Sequence, residues 1–410
     1  MKYQDLFPIP IEWVQDVDES MADTVSSWAE QEVKSKRLEH KEDYDSLLRP
    51  AMGKLFKDIG LQTMLLPEEL GGGGMGTPEA ATTAAVILEQ VGAADSGIGF
   101  LYANTLALQY ALAVSPNRND ELLKEVAPLF SGDEITLCSL VLPAYGSDTG
   151  DRARYYGLDY PAAASKKGEG WVVSGGPARP QCCGATASVF GVVCDLGDGT
   201  PGVVLVPGGA NGVKKGETFL KTGLAASVNA DITFKDVQVT ASALVSQGVE
   251  AVRDMLSWYY MACAAVCDGA MQTTYEILQE WGDTRVIKGK GQVFKENPLV
   301  ASLMGEIGGK ISSSRVLTYN LARMLSRPDI YGSAGNGSIH VVAISTFKQV
   351  SRQAMQAIDN TMELMASAGY ATEWNLERYW RDVKTVETYV IPETVAQTCM
   401  ARQYFNLKKL

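Results

Sequence analysis

The spacing of hydrophobic positions changes twice along the chain, and each change predicts a different secondary structure. Up to about residue 134 the apolar residues follow a helical period, and Thr77-Pro78-Glu79 form a helix-start signal after a glycine-rich loop. From about residue 135 to 245, short β-rich runs separated by glycine and proline predict a small antiparallel barrel or sandwich; they are WVVSGG, SVFGVVCD, PGVVLVPGG and ADITFKDVQV. Helical periods then return in segments near 247–283, 298–327, 338–368 and 390–407.

This order predicts an α+β protein with three domains. We expect an N-terminal α-helical domain over residues 1–134, a central β domain over 135–245 and a C-terminal helical bundle over 246–410.

Composition limits the classes of partner. The net charge of -12 disfavours a surface for DNA or RNA. The start of the chain lacks the apolar run of a secretory signal, and no window is long and apolar enough to span a membrane. Seven cysteines without paired CxxC spacing, and only two histidines, indicate reduced thiols and no metal centre. We therefore expect a cytoplasmic protein without a membrane span.

Several short motifs occur in an order that is typical of one superfamily. The strongest is AGYATEWNLERYWRDVK at 368–384. It is preceded by LVLPAYGSD at 140–148, VVSGG at 172–176 and TGLAASVNADITFKDVQV at 222–239. Through these motifs the chain resembles the acyl-CoA dehydrogenase superfamily across nearly its full length. The resemblance implies a helical domain, a β domain and a four-helix bundle in this order.

The resemblance also implies a cofactor and partners. A base removes the α-proton of an acyl-CoA, and FAD accepts the β-hydrogen as hydride. Electron-transfer flavoprotein or a similar acceptor would reoxidise the flavin, in a homotetramer or in a heterotetramer with a related subunit.

The resemblance assigns cofactor residues as well. Ser147, Gln181 and Tyr389 would lie near the flavin of one subunit, whereas Arg285 and the turn from Glu363 to Gly369 would serve the flavin of a neighbour. The family's tryptophan-x-threonine loop aligns with Arg179-Pro180-Gln181, and a family glutamine aligns with Glu363. The first replacement places a cation and an amide beside the flavin, and the second places a negative charge near the pyrophosphate.

The base is the main departure, because the family's catalytic glutamate aligns with Val390. A second known location of the base aligns with Trp258-Tyr259-Tyr260, which also lacks a carboxylate. Glu393, Glu387 and Asp95 are alternative candidates, and Asp268 is a weaker fourth. Each has a structural alternative: a helix-end or surface charge for the two glutamates, a cap for Asp95 and a packed polar group for Asp268.

Three functional hypotheses remain open. The first is an FAD enzyme acting on a cyclic, aromatic or dicarboxylic acyl-CoA with a non-standard base, or a decarboxylating or eliminating member of the same fold. The second is a catalytically silent subunit of a heteromeric acyl-CoA dehydrogenase. The third is a flavin monooxygenase. An aromatic set is compatible with a flat substrate, although aromatics on buried helices also form cores; it comprises Trp258, Tyr259, Tyr260, Tyr389 and Trp374.

Overall fold

Helices at both ends of the chain flank a mixed β-sheet, which confirms the predicted α+β class. The structure is a computed structural model and describes residues 3–144, 154–155 and 158–407. No helix in these ranges is long and apolar enough to cross a membrane.

The N-terminal helices are centred on two that are buried on every side. These helices are α1 (Tyr3–Leu6), α2 (Asp16–Trp28), α3 (Arg37–His40), α4 (Arg49–Gly53), α5 (Ala80–Ala94), α6 (Ser96–Ala113) and α7 (Asp120–Ser131). Every residue of α5 and α6 is buried, as expected for helices that are apolar around their whole circumference. The predicted start at Thr77 corresponds to a turn, in which the Thr77 carbonyl accepts from the Ala80 N–H.

The central strands include all four β-rich runs of the sequence, which form β5, β6, β7 and β9. The strands are β1 (Cys138–Val141), β2 (Arg154–Tyr155), β3 (Leu158–Asp159), β4 (Ala162–Lys167), β5 (Gly170–Ala178), β6 (Val189–Asp195), β7 (Pro201–Pro207), β8 (Val213–Thr218), β9 (Ala230–Val239) and β10 (Leu244–Gln247).

The main sheet has the order β10-β7-β6-β4-β5-β9-β8, and β1 also pairs with β6. The expectation of a purely antiparallel sheet was wrong, because β1 and β4 both run parallel to β6. Parallel neighbours need a long crossover, and the chain between β1 and β6 provides one. The segment that follows β5 lies next to β1, because the Gln181 N–H donates a hydrogen bond to the carbonyl of Leu140 in β1.

The C-terminal part is a helical bundle around one long helix. Its elements are α8 (Val249–Thr284), β11 (Val286–Ile287), β12 (Gln292–Val293), α9 (Pro298–Ser326), α10 (Pro328–Tyr331), α11 (Gly337–Met365), α12 (Leu376–Tyr389) and α13 (Glu393–Tyr404). The first three predicted helical segments match α8, α9 and α11 closely.

The helix predicted from residue 390 begins later in the structure, at Glu393. A proline disfavours the helical conformation in the residue before it, so Pro392 separates α12 from α13. Val390 and Ile391 lie in this break, at the edge of the core.

Candidate functional site

The segment after β5 meets α8 and α12 at Gln181. The side-chain oxygen of Gln181 accepts a hydrogen bond from the Tyr259 hydroxyl at 2.9 Å, and its backbone N–H donates to the Leu140 carbonyl at 2.8 Å. The Tyr389 hydroxyl donates to the Pro180 carbonyl at 2.9 Å. Burial raises the pKa of Tyr259 well above its ordinary value, so this phenol stays a donor. No described group accepts from the remaining amide, Nε2 of Gln181, which is left free to donate.

Arg179, two residues before Gln181, is already engaged. Its guanidinium donates to both carboxylate oxygens of Asp231, at 3.0 and 3.2 Å, and lies 4.0 Å above the Phe219 ring. A bidentate carboxylate neutralises the charge and fixes the orientation of an arginine. Arg179 is therefore not available for an anionic ligand in this arrangement.

Val390 borders a small apolar cavity of about 40 Å³. Its described lining contains no carboxylate, lysine or arginine, and its polar side chains are Tyr260, His340 and Cys399. Burial raises the pKa of Tyr260 strongly and that of Cys399 to about 11, so both remain protonated at neutral pH. Since ligand pockets commonly have volumes of about 300–1,000 Å³, this cavity has to open before it can accept a ring.

Asp95 does not reach this cavity. Its side chain is buried between two arginines, with Oδ2 at 2.6 Å from Arg37 Nη2 and 3.1 Å from Arg378 Nη1. Its other oxygen caps α6 by accepting from the Ile98 N–H at 2.9 Å. Burial would raise the pKa of Asp95, but the positive charges of Arg37 and Arg378 outweigh it and hold the pKa below its usual value. This environment suits a permanent anion and opposes a proton acceptor.

The two glutamates beside Val390 also point to other partners. Glu387 pairs with Lys384 at 2.8 Å, and Glu393 pairs with Arg352 at 2.7 Å and with Lys348 at 3.2 Å. Partial burial would raise the pKa of Glu393, but hydrogen bonds and charge from Lys348 and Arg352 lower it. Neither glutamate lines the Val390 cavity.

Asp268 is completely buried on α8, and both of its carboxylate oxygens lack a hydrogen-bond partner in the described chain. Burial, followed by the negative charge of Glu89, raises its pKa well above the usual value. Asp268 therefore keeps its proton to a higher pH than an exposed aspartate does. It does not line the Val390 cavity.

The residues expected to serve a neighbouring subunit lie towards the ends of α8 and α11. Arg285 is exposed, 5.3 Å from the Trp281 ring, and Trp281 packs edge-on against Trp374 at 5.4 Å. Glu363 is exposed and Gly369 is buried in the turn that follows α11. This turn begins at Ala366, which has the left-handed φ of 52°. Ser147 lies outside the described residues.

Two functional candidates were missed from the sequence. His340 lies in the first turn of α11 and lines the Val390 cavity. Lys348, also on α11, is buried beneath the Val390 turn and donates to the carbonyl of Glu387 at 3.0 Å. Both lie more than 40 residues before Val390, so no local pattern could have assigned them.

Comparison with known proteins decides the family. Residues 15–127 match the acyl-CoA dehydrogenase N-terminal domain, and residues 246–402 match the acyl-CoA dehydrogenase C-terminal domain. The chain belongs to the acyl-CoA dehydrogenase family.

Similar proteins extend this result over the whole chain. Cyclohex-1-ene-1-carbonyl-CoA dehydrogenase of Geobacter metallireducens is 26% identical over 384 residues, which cover 90% of this chain and 92% of the relative. The structure of glutaryl-CoA dehydrogenase from Mycobacterium smegmatis superimposes with a TM-score of 0.81 at 18% identity and covers 99% of both chains. A structure of glutaryl-CoA dehydrogenase from the same organism in complex with FADH2 superimposes with a TM-score of 0.77 at 17% identity, covering 97% of both.

The residues of this acyl-CoA dehydrogenase family member fit FAD, the cofactor that the family membership indicates. Gln181 Nε2 is an available donor for a flavin ring edge, and the exposed guanidinium of Arg285 can bind phosphate oxygens. Ala366, at the start of the turn, has a φ of 52°, which is uncommon for a residue other than glycine. Glu363 carries the wrong charge for a phosphate, but its exposed carboxylate can turn towards solvent.

Proposed function

We propose that this chain is an FAD-dependent oxidoreductase that acts on a CoA thioester with an uncharged cyclic acyl group and without a glutamate base. The observation that carries the proposal is the Val390 cavity, whose described lining has neither a carboxylate nor a cation. A dicarboxylic acyl group would bury its second carboxylate there without a partner, which is costly. A cyclic hydrocarbon has no such cost, and one relative is a cyclohex-1-ene-1-carbonyl-CoA dehydrogenase.

In this proposal the chain supplies positioning and an apolar environment. FAD, when bound, supplies the hydride acceptor. Gln181 Nε2 would donate to the ring edge, while Tyr259 and the Pro180–Tyr389 contact fix the Gln181 segment. The apolar lining excludes water from the reacting carbons. Electron-transfer flavoprotein or a similar protein would reoxidise the cofactor.

The same cavity weakens the decarboxylating and eliminating alternative. A substrate that loses a carboxylate needs that group to be held and oriented before it leaves, usually by a cation or by several donors. The described cavity offers Tyr260 and Cys399 as neutral donors and lacks a cation. We therefore place oxidation of a neutral acyl group first.

A second candidate function is a catalytically silent subunit that pairs with an active relative. It is favoured by the small volume of about 40 Å³ and by the engagement of Asp95, Glu387 and Glu393 in ion pairs elsewhere. In this case the related subunit would supply the base, and this chain would complete the binding of its cofactor.

Purification of the chain alone, followed by visible absorption, tests both candidates. The oxidoreductase should carry a flavin band that bleaches when cyclohexanecarbonyl-CoA is added without oxygen. A colourless chain that gains flavin only when co-expressed with a related subunit would favour the silent role. Gln181→Ala should weaken flavin retention, whereas Gln397→Ala, a change of an exposed glutamine, should not. Flavin that remains unbleached by neutral cyclic thioesters would contradict the proposed substrate class.

A further inference from the structure

His340 and Ser257 form a buried pair beside the Val390 cavity. His340 lines the cavity, and its Nδ1 lies 3.0 Å from Ser257 Oγ. The same hydroxyl lies 2.8 Å from the carbonyl oxygen of Arg253 and 2.8 Å from that of Ala334. Ser257 is thus surrounded by two groups that can only accept a hydrogen bond and by one imidazole nitrogen.

These contacts favour one of the two positions for the proton on the imidazole ring. Burial, and then the positive charge of Arg253, lower the pKa of His340 to about 3, so the ring is neutral and carries one N–H. Ser257 has a single proton, and its two carbonyl neighbours compete for it. The arrangement is satisfied when Ser257 donates to a carbonyl and Nδ1–H donates to Ser257. The other ring nitrogen, Nε2, then has a lone pair.

The described chain leaves this lone pair without a donor. No described side chain or backbone group hydrogen-bonds Nε2 of His340, although the ring borders the cavity. Nε2 is not among the fully buried side-chain atoms of the described chain that lack a partner, so a molecule that enters the cavity can reach it and donate a hydrogen bond to it.

We propose that His340 is a specificity-determining residue, held by Ser257 as an acceptor, and that the occupant of the Val390 cavity presents an N–H or O–H group to its Nε2. This inference rests on the proposed function and adds that the Val390 cavity selects an occupant with a hydrogen-bond donor. The donor would be either an amide N–H of the pantetheine arm or a hydroxyl group on the acyl ring. An occupant without a donor there would bind more weakly.

The tautomer can be measured directly because the chain has only two histidines, His40 and His340. In protein labelled with ¹⁵N-histidine, long-range proton–nitrogen spectra should show His340 in the Nδ1–H form, and Ser257→Ala should shift it towards a mixture. His40→Phe assigns the remaining signal to His340. A wild-type His340 that carries its proton on Nε2 would overturn the proposal.

Calorimetric binding identifies the donor without requiring turnover. The probes are coenzyme A, its cyclohexylmethyl thioether and the 4-hydroxycyclohexylmethyl thioether, none of which can be dehydrogenated as a thioester. His340→Phe should weaken binding roughly tenfold, the equivalent of one hydrogen bond, with His40→Phe as the matched control. Loss with all three probes assigns the donor to pantetheine, and loss with the hydroxylated probe alone assigns it to the ring.

Unchanged binding of all probes to His340→Phe would overturn the proposal. Should His340→Phe fail to fold, Ser257→Ala provides the same comparison, with an expected loss of roughly threefold because half-satisfied orientations remain. These measurements differ from the bleaching test: a protein that shows the predicted tautomer and probe binding but is not bleached refutes the oxidation, and the reverse result refutes the role of His340.

Discussion

Replacing Asp95 with asparagine separates a structural role from a catalytic one. The change preserves the size of the side chain and the oxygen that caps α6 at the Ile98 N–H, but removes the charge between Arg37 and Arg378. After the change Arg37 retains the Lys41 carbonyl at 2.9 Å, and Arg378 retains Asp382 at 3.7 Å. Both guanidinium groups stay buried with incomplete neutralisation.

The expected cost follows from the burial of all three side chains, each no more than 5% exposed. Removing one partner of a buried ion pair costs about 3–5 kcal/mol, and Asp95 serves two cations. The loss should lie in the upper part of this range. Since total stabilities are about 5–15 kcal/mol, urea denaturation followed by circular dichroism should show a large decrease in the midpoint.

The pH dependence gives a second measure of Asp95. Because its folded-state pKa is depressed, the ionised carboxylate contributes stability above the unfolded-state value of about 3.9, and this contribution is lost as the pH falls through the folded-state value. The difference between wild type and Asp95→Asn should therefore shrink in acid. Asp329→Asn, which removes an exposed partner of Arg327, is the control and should leave the midpoint unchanged. A stable Asp95→Asn protein with flavin bound but no bleaching would refute our reasoning and identify Asp95 as the base.

Three further predictions test the site and its surroundings. Val390→Glu should accelerate flavin bleaching by about 100-fold or more in stopped-flow measurements, because a positioned base contributes about 10²–10⁴-fold to the rate. Val390→Gln, which adds a neutral side chain of similar size, is the control and should not accelerate bleaching. Ala366→Gly should raise the free energy of unfolding by about 0.5–1 kcal/mol, because relief of left-handed strain exceeds the entropy cost of glycine; a loss of stability would contradict the strain. Because the pKa of Asp268 is raised in the folded state, the folded protein binds this proton more tightly than the unfolded chain does. The free energy of unfolding should therefore fall as the pH rises above about 4 towards the folded-state pKa. Asp268→Asn should flatten this slope in denaturation curves measured at several pH values.

The sequence predicted those helices and strands whose hydrophobic pattern lies within one continuous segment. The long apolar periods of α8, α9 and α11 and the β-branched runs of β5, β6, β7 and β9 gave helices and strands near their observed positions. Helix α12 was not predicted as a separate element, although its buried residues Leu376, Tyr379, Val383 and Val386 recur at helical spacing. Its buried arginine and aspartate are stabilised by tertiary partners, which a local period does not reveal.

The site depended on such distant partners. Asp95 lies 58 residues from Arg37 and 283 residues from Arg378, and no spacing along the chain indicates that these three charges meet. The resemblance directed attention to Val390, but it could not show that a histidine 50 residues earlier borders the same cavity. Charged side chains have many possible partners, so their roles are set by the fold.

The turn that carries Val390 is held in place by Lys348. Lys348 is buried beneath it and donates to the carbonyls of Glu387 at 3.0 Å and Ile391 at 3.5 Å, while its charge pairs with Glu393 at 3.2 Å. A buried ammonium is stable only with such partners, so these contacts fix the backbone on both sides of Val390 relative to α11. A glutamate at position 390 would start from a fixed backbone at the edge of the cavity, which is why we expect a single substitution to accelerate proton transfer.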